Sequence, residues 1–501
     1  MEPNPQDIPI DPKLSVTLPK LKVLFADSSD VVIHPFRVDR SLDGLLVYVE
    51  NLSDMERLER GVLQPLRGLT REEVLTEGFL EANLPIGKVQ AVTKQKEAVM
   101  SILSGNPVLF VDGLPYALTL GLASWNQRSI EQSSGENVVR GSQESFVETL
   151  ATNLSILRRR LRTPNLKTPT VTTGLLAETS LAIAYLQHTA TPELVDEVMR
   201  RLQAIRFDSL LESGMVEELI QDNPYSPFPQ LLSTERPDVV TAHLLEGRVA
   251  IFTEGTPFVL IAPGNFFSFM QSPEDYDNAW KGTVSRLIRY LFLIIALLMP
   301  AAYVAIVTFH QEMIPTSLLL TIANTREQIP FPVLVEALLM EIMFEALREA
   351  GLRLPKQVGS AVSIVGALVI GQAAISAGLV SPPMVMVVAI TGIASFMVPH
   401  YAMSIPLRML RFPIMIISGI LGLVGFVLAF AVVIIHMLSL TSFGLPYFSL
   451  QRTAELEDTL LRTRLNRVQN RTFLSGRLEK HQSMFEKNRS SNNAGKKENG
   501  R

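Results

Sequence analysis

Four glutamates, Glu336, Glu341, Glu345 and Glu349, lie within PFPVLVEALLMEIMFEALREAGLRLP (330–355), among segments apolar enough to cross a bilayer. A carboxylate in such surroundings needs a cationic partner, water or a proton, so the chemistry within its reach is the handling of ions or protons. At about 100° per residue, Glu341, Glu345, Arg348 and Glu349 share one stripe, and Leu338, Leu339, Ile342, Met343 and Leu347 spread over the remaining faces. Glu336 lies roughly opposite that stripe, among Val333, Val335, Leu338 and Leu339. Pro330 and Pro332 suit a helix start, and Gly351 with Pro355 suits its end. The pattern predicts an amphipathic or re-entrant helix over 331–350. Two readings follow: a solvated interfacial helix with Glu336 near the headgroups, or a ring of Glu336 side chains at the mouth of an ion pathway.

Other chemistry is missing from the sequence. There is no cysteine, which excludes disulfides, thiolate metal sites and a cysteine nucleophile. No GxSxG, HExxH or CxxC occurs, and Gly87-Lys88 lacks the spacing of a phosphate loop. The seven histidines are scattered, with His310 and His400 at the ends of apolar runs. Neither an enzyme nor a cofactor or metal site is expected. A net charge of −4 argues against nucleic acid as a partner.

The surrounding elements divide the chain into a head, a membrane block and a tail. Taking ~20 apolar residues as one crossing, spans are expected near 287–309, 358–378, 382–398 and 412–438 of a membrane domain over 281–447. Lys281, Arg286 and Arg289 flank the entry to the first span, and Arg452, Arg462, Arg464 and Arg467 follow the last. By the positive-inside rule both termini are cytoplasmic, which an even number of crossings satisfies. The second span carries two stripes. Gly359, Ser363, Gly366, Ile370, Ala373 and Ala377 form a small-residue face suited to helix packing. Val362, Val365, Val369, Gln372 and Ser376 form a face whose amide and hydroxyl favour water or another helix, and whose valines suit an apolar gate.

Residues 1–19 are acidic and Pro-rich without the marks of a secretory signal, and read as disordered. The head is expected as an α/β pair of subdomains, 20–135 and 136–280, and 448–501 as a basic cytoplasmic tail that is disordered at its end. In the first subdomain VVIHPFRV and LLVYVENL read as strands, MERLERGVLQPL as helical, 88–106 as a helix and PVLFVDG as a strand. In the second, a long helix runs through FVETLATNLSILRRRL, followed by strand 179–187, the helix PELVDEVMRRLQAI, and two strands over 248–263 turned at Glu254-Gly255. No repeat of 20–50 residues is evident. Arg158, Arg159 and Arg160 close a helix and point in different directions, so they cannot share one partner and at least one is free for a neighbouring subunit. Glu235 and Arg236 are expected exposed at the start of the helix after Pro237, and Arg140 is a further interaction candidate.

The stretch 329–381 resembles the signature region of the A subunits of GerA-type spore germinant receptors. RGSQESFVETLATNLSILRRRL (140–161), SPFPQLLSTERPDVV (226–240) and the run from EGRVAIFTEGTPFVLIAP to SPEDYDNAW (246–280) are similar as well. The chain departs from the family's common patterns at Arg140-Gly141-Ser142, where Arg-Gly-Pro is usual, and at Glu254-Gly255-Thr256-Pro257, where Asp-Gly-x-Pro is frequent. The resemblance, covering about 20–440, implies a multi-pass protein of the spore inner membrane in endospore-forming bacteria. It also implies a homo-oligomeric ring, a transporter-like B subunit that senses the nutrient, a lipoprotein C subunit, and a ligand-gated ion channel that triggers germination. A secondary transporter or a non-conducting scaffold are the alternatives.

Overall fold

The computed structural model describes residues 8–39, 42–124, 141–272, 275, 278–353, 366, 369–448 and 459–462. Two compact units result: a head ending at Pro263, and a helical unit that takes in 225–230 and the chain from Gly264.

In the head, alternation along the strands decides the layers. β1 (Val31–Asp39) and β2 (Leu42–Val49) form an antiparallel hairpin, joined by β3 (Val89–Val92), β4 (Val108–Val111) and β5 (Ala117–Leu120) in the order β1-β2-β4-β5-β3. Leu42, Leu46, Leu109, Val111, Leu118 and Leu120 face a core built with the helical stretch 55–66. Leu45, Val47, Val49, Val108, Phe110 and Ala117 face the other way, onto α1 (Leu14–Leu24) and α2 (Gln95–Leu103). Successive residues of a strand point to opposite faces, so one apolar sheet closes two cores.

Two expectations are corrected here. The N-terminal segment is not disordered throughout: α1 begins at Leu14, and Leu21 is fully buried under the sheet. The helix expected over 88–106 starts only at Gln95, because Val89–Val92 pairs with β5 as an edge strand. Tertiary pairing outweighs the helical propensity of that stretch.

The second subdomain repeats the first. After α3 (Leu150–Arg160) come β6 (Leu166–Lys167), β7 (Thr170–Thr173), β8 (Thr179–Leu186), α4 (Pro192–Ala204), α5 (Ser213–Ile220), β9 (Leu232–Thr234), α6 (Pro237–Leu245), β10 (Val249–Thr253) and β11 (Val259–Ala262). The order β6-β8-β10-β11-β9, with β7 also on β8, reproduces that of the first sheet strand for strand. The match extends to side chains. Asp112, in the β4–β5 turn, accepts from the amide of Leu14 at 3.0 Å, and Glu254, in the β10–β11 turn, accepts from Leu150 at 3.0 Å. The following glycine amide binds the chain two residues before each helix, Gly113 to Pro12 and Gly255 to Glu148, both at 2.8 Å. Both glycines have positive φ, 93° and 89°. Asp112-Gly113-Leu114-Pro115 and Glu254-Gly255-Thr256-Pro257 are thus the same clasp, a repeat legible in the sequence but set too far apart for a search at 20–50 residues.

In the helical unit, α7 (Ala279–Phe309), α8 (Thr316–Arg326), α9 (Val333–Arg353), α10 (Pro382–Ser395) and α11 (Tyr401–Ser439) follow. Among the described residues two helices, α7 and α11, are long and apolar enough to cross a membrane. The expected third span falls short. At 14 residues α10 reaches about 21 Å against a hydrocarbon core of about 30 Å. The expected second span lies largely outside the described residues. α11 starts eleven residues before the span expected from 412, because Tyr401–Arg411 is helical too and carries Arg408 and Arg411 into the unit. Gly422, with φ 64° and ψ −144°, breaks it midway.

Candidate functional site

The carboxylates of α9 face inward. Glu341 is fully buried and receives Arg411 Nη1 of α11 at 2.6 Å, while Arg411 Nε donates to the Ala296 carbonyl of α7 at 2.9 Å. One turn on, Glu345 accepts from Arg408 at 2.8 Å. Arg348 donates to Ser395 of α10 at 2.6 Å and lies over the rings of Phe344 and Phe396, 5.3 and 4.6 Å from their centroids. Gly392 makes room for this: a Cβ there would meet the Phe344 ring at 2.4 Å. Glu336, also fully buried, accepts from the Ser381 amide at 2.6 Å and from its hydroxyl, and pairs with Arg326 of α8 at 3.5 Å. Only Glu349, paired with Arg353, stays in the open.

The charged stripe is therefore not the solvated face of an interfacial helix. α10 and α11 close over it, because Arg411, Arg408 and Ser395 stand opposite Glu341, Glu345 and Arg348. From Glu341 to Glu345 the polar column climbs about 6 Å at 1.5 Å per residue, and Glu336 is buried on the opposite face of the helix. These groups are incompletely bonded. Oε2 of Glu336, Oε1 of Glu341 and of Glu345, Nη2 of Arg411 and Nε of Arg348 are buried with no hydrogen-bond partner among the described residues. A second buried set lies at the start of α7, where Asp275 receives Arg286 at 3.1 Å and Arg289 at 2.7 Å. These two arginines, expected at the entry to the first span, are buried and share the one carboxylate of Asp275.

The other expected site residues fall as follows. Val369, Gln372 and Ser376 are exposed on the helical residues 369–376; Val362 and Val365 lie outside the described residues. Of the small-residue stripe, Ala373 and Ala377 are exposed and Gly366 half-buried against Leu347, while Gly359 and Ser363 are outside the described residues. The positions packed within the chain are Gly371, against Val385, and Ala374, so the stripe chosen from residue size is not the intrachain contact.

The head candidates are corrected more sharply. Arg158 is fully buried and grips Asp30 of the first subdomain with two bonds, 2.8 and 2.7 Å, and the carbonyls of Thr163 and Leu166 with a third nitrogen. Thr168 donates to the same Asp30 at 2.8 Å. Arg159 and Arg160 do share one partner, Glu144, which stands past the helix where two long side chains converge; Arg160 also donates to Ser142 at 2.6 Å. Glu235 and Arg236 are buried rather than exposed, with Arg236 turned onto Asp238 at 2.6 Å. Arg140 lies outside the described residues. Sequence reasoning missed Asp30, Arg408 and Arg411; the last two follow Tyr401 at spacings of seven and ten, a helical signal that the apolar count from 412 passed over.

Comparison with known proteins bears on the column and the head together. The family described as Bacillus/Clostridium GerA spore germination protein matches residues 19–473. Spore germination protein KA of Bacillus subtilis (strain 168) is 44% identical over 88% of this chain and 82% of its own length. Spore germination protein A1 of the same organism is 39% identical over 90% and 92%. A membrane protein of that organism called uncharacterized, YfkQ, is 45% identical over 89% and 87%. Among solved structures, the N-terminal domain of the A subunit of the Bacillus megaterium spore germinant receptor GerK3 is 33% identical, covering 52% of this chain and 98% of that one, with a TM-score of 0.42. An α/β head of two subdomains followed by a domain of apolar membrane helices, matched along nearly its whole length, makes this chain a member of the GerA family of spore germination proteins, alongside the receptors' A subunits.

Proposed function

We propose that the chain is the A subunit of a nutrient-responsive spore germination receptor whose copies assemble around an ion channel in the spore inner membrane, with head and tail on the cytoplasmic side. A transporter-like B subunit and a lipoprotein C subunit are its partners. The observation that carries the channel reading is the exposure of Gln372 and Ser376, next to Val369, on an apolar helical stretch. In a lone chain these polar groups would face hydrocarbon, at considerable cost; around a shared axis they face water or one another. The column under α9 supports the same reading from behind, fixing α9 to α10 and α11 so that residues 369–376 stand on a braced wall. The test is the purified chain in a planar bilayer. Unitary cation currents, and leak without nutrient in Val369→Ser, are expected; silence of the chain with its partner subunits and nutrient present would overturn the reading.

One observation favours a second reading, that of a secondary transporter. The break at Gly422 makes α11 a discontinuous membrane helix, a feature of such sites. Saturable exchange without unitary currents would select it.

A further inference from the structure

The head carries a knob and a groove on different subdomains. The knob is the turn between β7 and β8. Leu175 and Leu176 are 65% and 83% exposed at its tip, yet the turn is tightly held. Leu175 donates to the Phe207 carbonyl at 2.9 Å, and Leu176 and Ala177 donate to that of Asp208 at 2.9 and 3.0 Å. Gly174, at φ +112°, closes the turn so sharply that a Cβ would sit 2.1 Å from the Ala177 oxygen. Phe207, half-exposed, and Leu211, 75% exposed, extend the apolar surface. A rigid turn presenting two leucines has little ordering entropy left to lose on contact, which is how anchors of interfaces are built.

The groove lies between α1 and the β1–β2 hairpin. It holds about 410 Å³ and is lined by Leu14, Ser15, Leu18, Pro35, Phe36 and Leu45, and by the exposed ion pair of Arg37 with Asp43 at 3.5 Å. Gly44 shapes its floor, since the Phe36 ring occupies the place of a side chain there. The unpaired charges beside the two features are opposite. Glu178 and Asp208 flank the leucines, and Lys22 sits one turn beyond Leu18 on the same side of α1. All three are exposed, and none forms an ion pair among the described residues.

We infer that the Leu175–Leu176 knob of one copy of this chain docks in the α1 groove of the next, with Glu178 and Asp208 meeting Lys22. The inference rests on the oligomeric reading above and gives it a surface. The contact is heterologous: each copy offers a knob on one side and a groove on the other, and repetition by a constant rotation closes a ring.

The chain contains no cysteine, so introduced thiols react alone. Full-length Ser15→Cys/Leu176→Cys in membranes, treated with a short bis-maleimide, is expected to give a ladder of cross-linked multimers, while each single variant gives none. Lys22→Glu in that background should cut the yield about tenfold, and adding Glu178→Lys should restore it. A Leu176→Cys chain that links to itself would mean a two-fold contact and overturn the proposal. So would an absent ladder from a chain whose native mass is still multimeric, which leaves the oligomer standing and removes this surface. A chain that is monomeric by native mass and gives no ladder overturns both readings at once.

Discussion

The buried ion pairs of the head and of the helical unit are built to different standards. In the head, Arg158 uses all three guanidinium nitrogens, and both oxygens of Asp30 are bonded. Under α9, every carboxylate facing inward keeps one oxygen without a hydrogen-bond partner among the described residues. A saturated pair in a low dielectric is a lock, since any motion forfeits bonds that nothing replaces. An incompletely bonded one has fewer bonds to forfeit. The head pair thus ties its two subdomains through a full set of bonds, and each inward carboxylate under α9 is held by fewer among the described residues.

The largest expected effect tests the lock. Arg158→Ala strands a buried carboxylate and should cost about 3–5 kcal/mol, seen as loss of full-length protein or a lowered thermal midpoint in detergent. Arg158→Met with Asp30→Leu should recover most of it, because apolar replacement removes both charges. In the column, Glu341→Gln leaves Arg411 its bond to Ala296 and should cost less, about 1–3 kcal/mol, while lowering nutrient-triggered ion release on the order of tenfold. A stability loss in Glu341→Gln as large as that of Arg158→Ala, with normal release, would make the two regions alike. Within the head, Asp112→Ala and Glu254→Ala each remove the same bond to a helix start; losses of about 1 kcal/mol apiece, additive in the double variant, are expected in chemical unfolding. Unequal costs would break the equivalence of the two clasps.

The smallest effect concerns pH. Burial pushes the half-buried Glu217 of α5 up to about 7. The folded head therefore holds a proton that the unfolded chain releases in the ordinary carboxylate range, and its stability falls as pH rises from there through 7. Glu217→Gln should raise the thermal midpoint at pH 8, by the equivalent of about 1 kcal/mol or less given its partial exposure, and leave it unchanged at pH 4. An equal gain at both values would trace the effect to packing rather than charge.

Much of this was legible in the sequence. Strand alternation marked β1, β2, β4, β8, β10 and β11, and the unusual glutamates marked α9. What escaped was everything decided by partners distant in sequence. Glu341 meets Arg411 across 70 positions and Arg158 meets Asp30 across 128, and neither spacing has a local signature. A stripe read on an isolated helix told which residues share a face, not what covers it; the covering helix reversed the meaning from solvated to buried. Residue size misled in the same way at Ala373 and Ala377, because smallness permits packing without choosing the neighbour. The repeat of the two clasps was readable, but Asp-Gly-x-Pro and Glu-Gly-x-Pro stand 142 positions apart with little else alike.

That repeat has a consequence for how the chain is made. Each subdomain contains its own clasp and its own complete sheet, so the first is finished once residue 124 has left the ribosome. At ~5–20 residues per second, the second sheet closes about 140 residues and on the order of ten seconds later. The first subdomain folds without a rival hairpin present to take the place of β4 and β5. Asp30 is then already in position when Arg158 emerges, and the order of synthesis guards two look-alike halves against exchanging strands before the apolar helices appear.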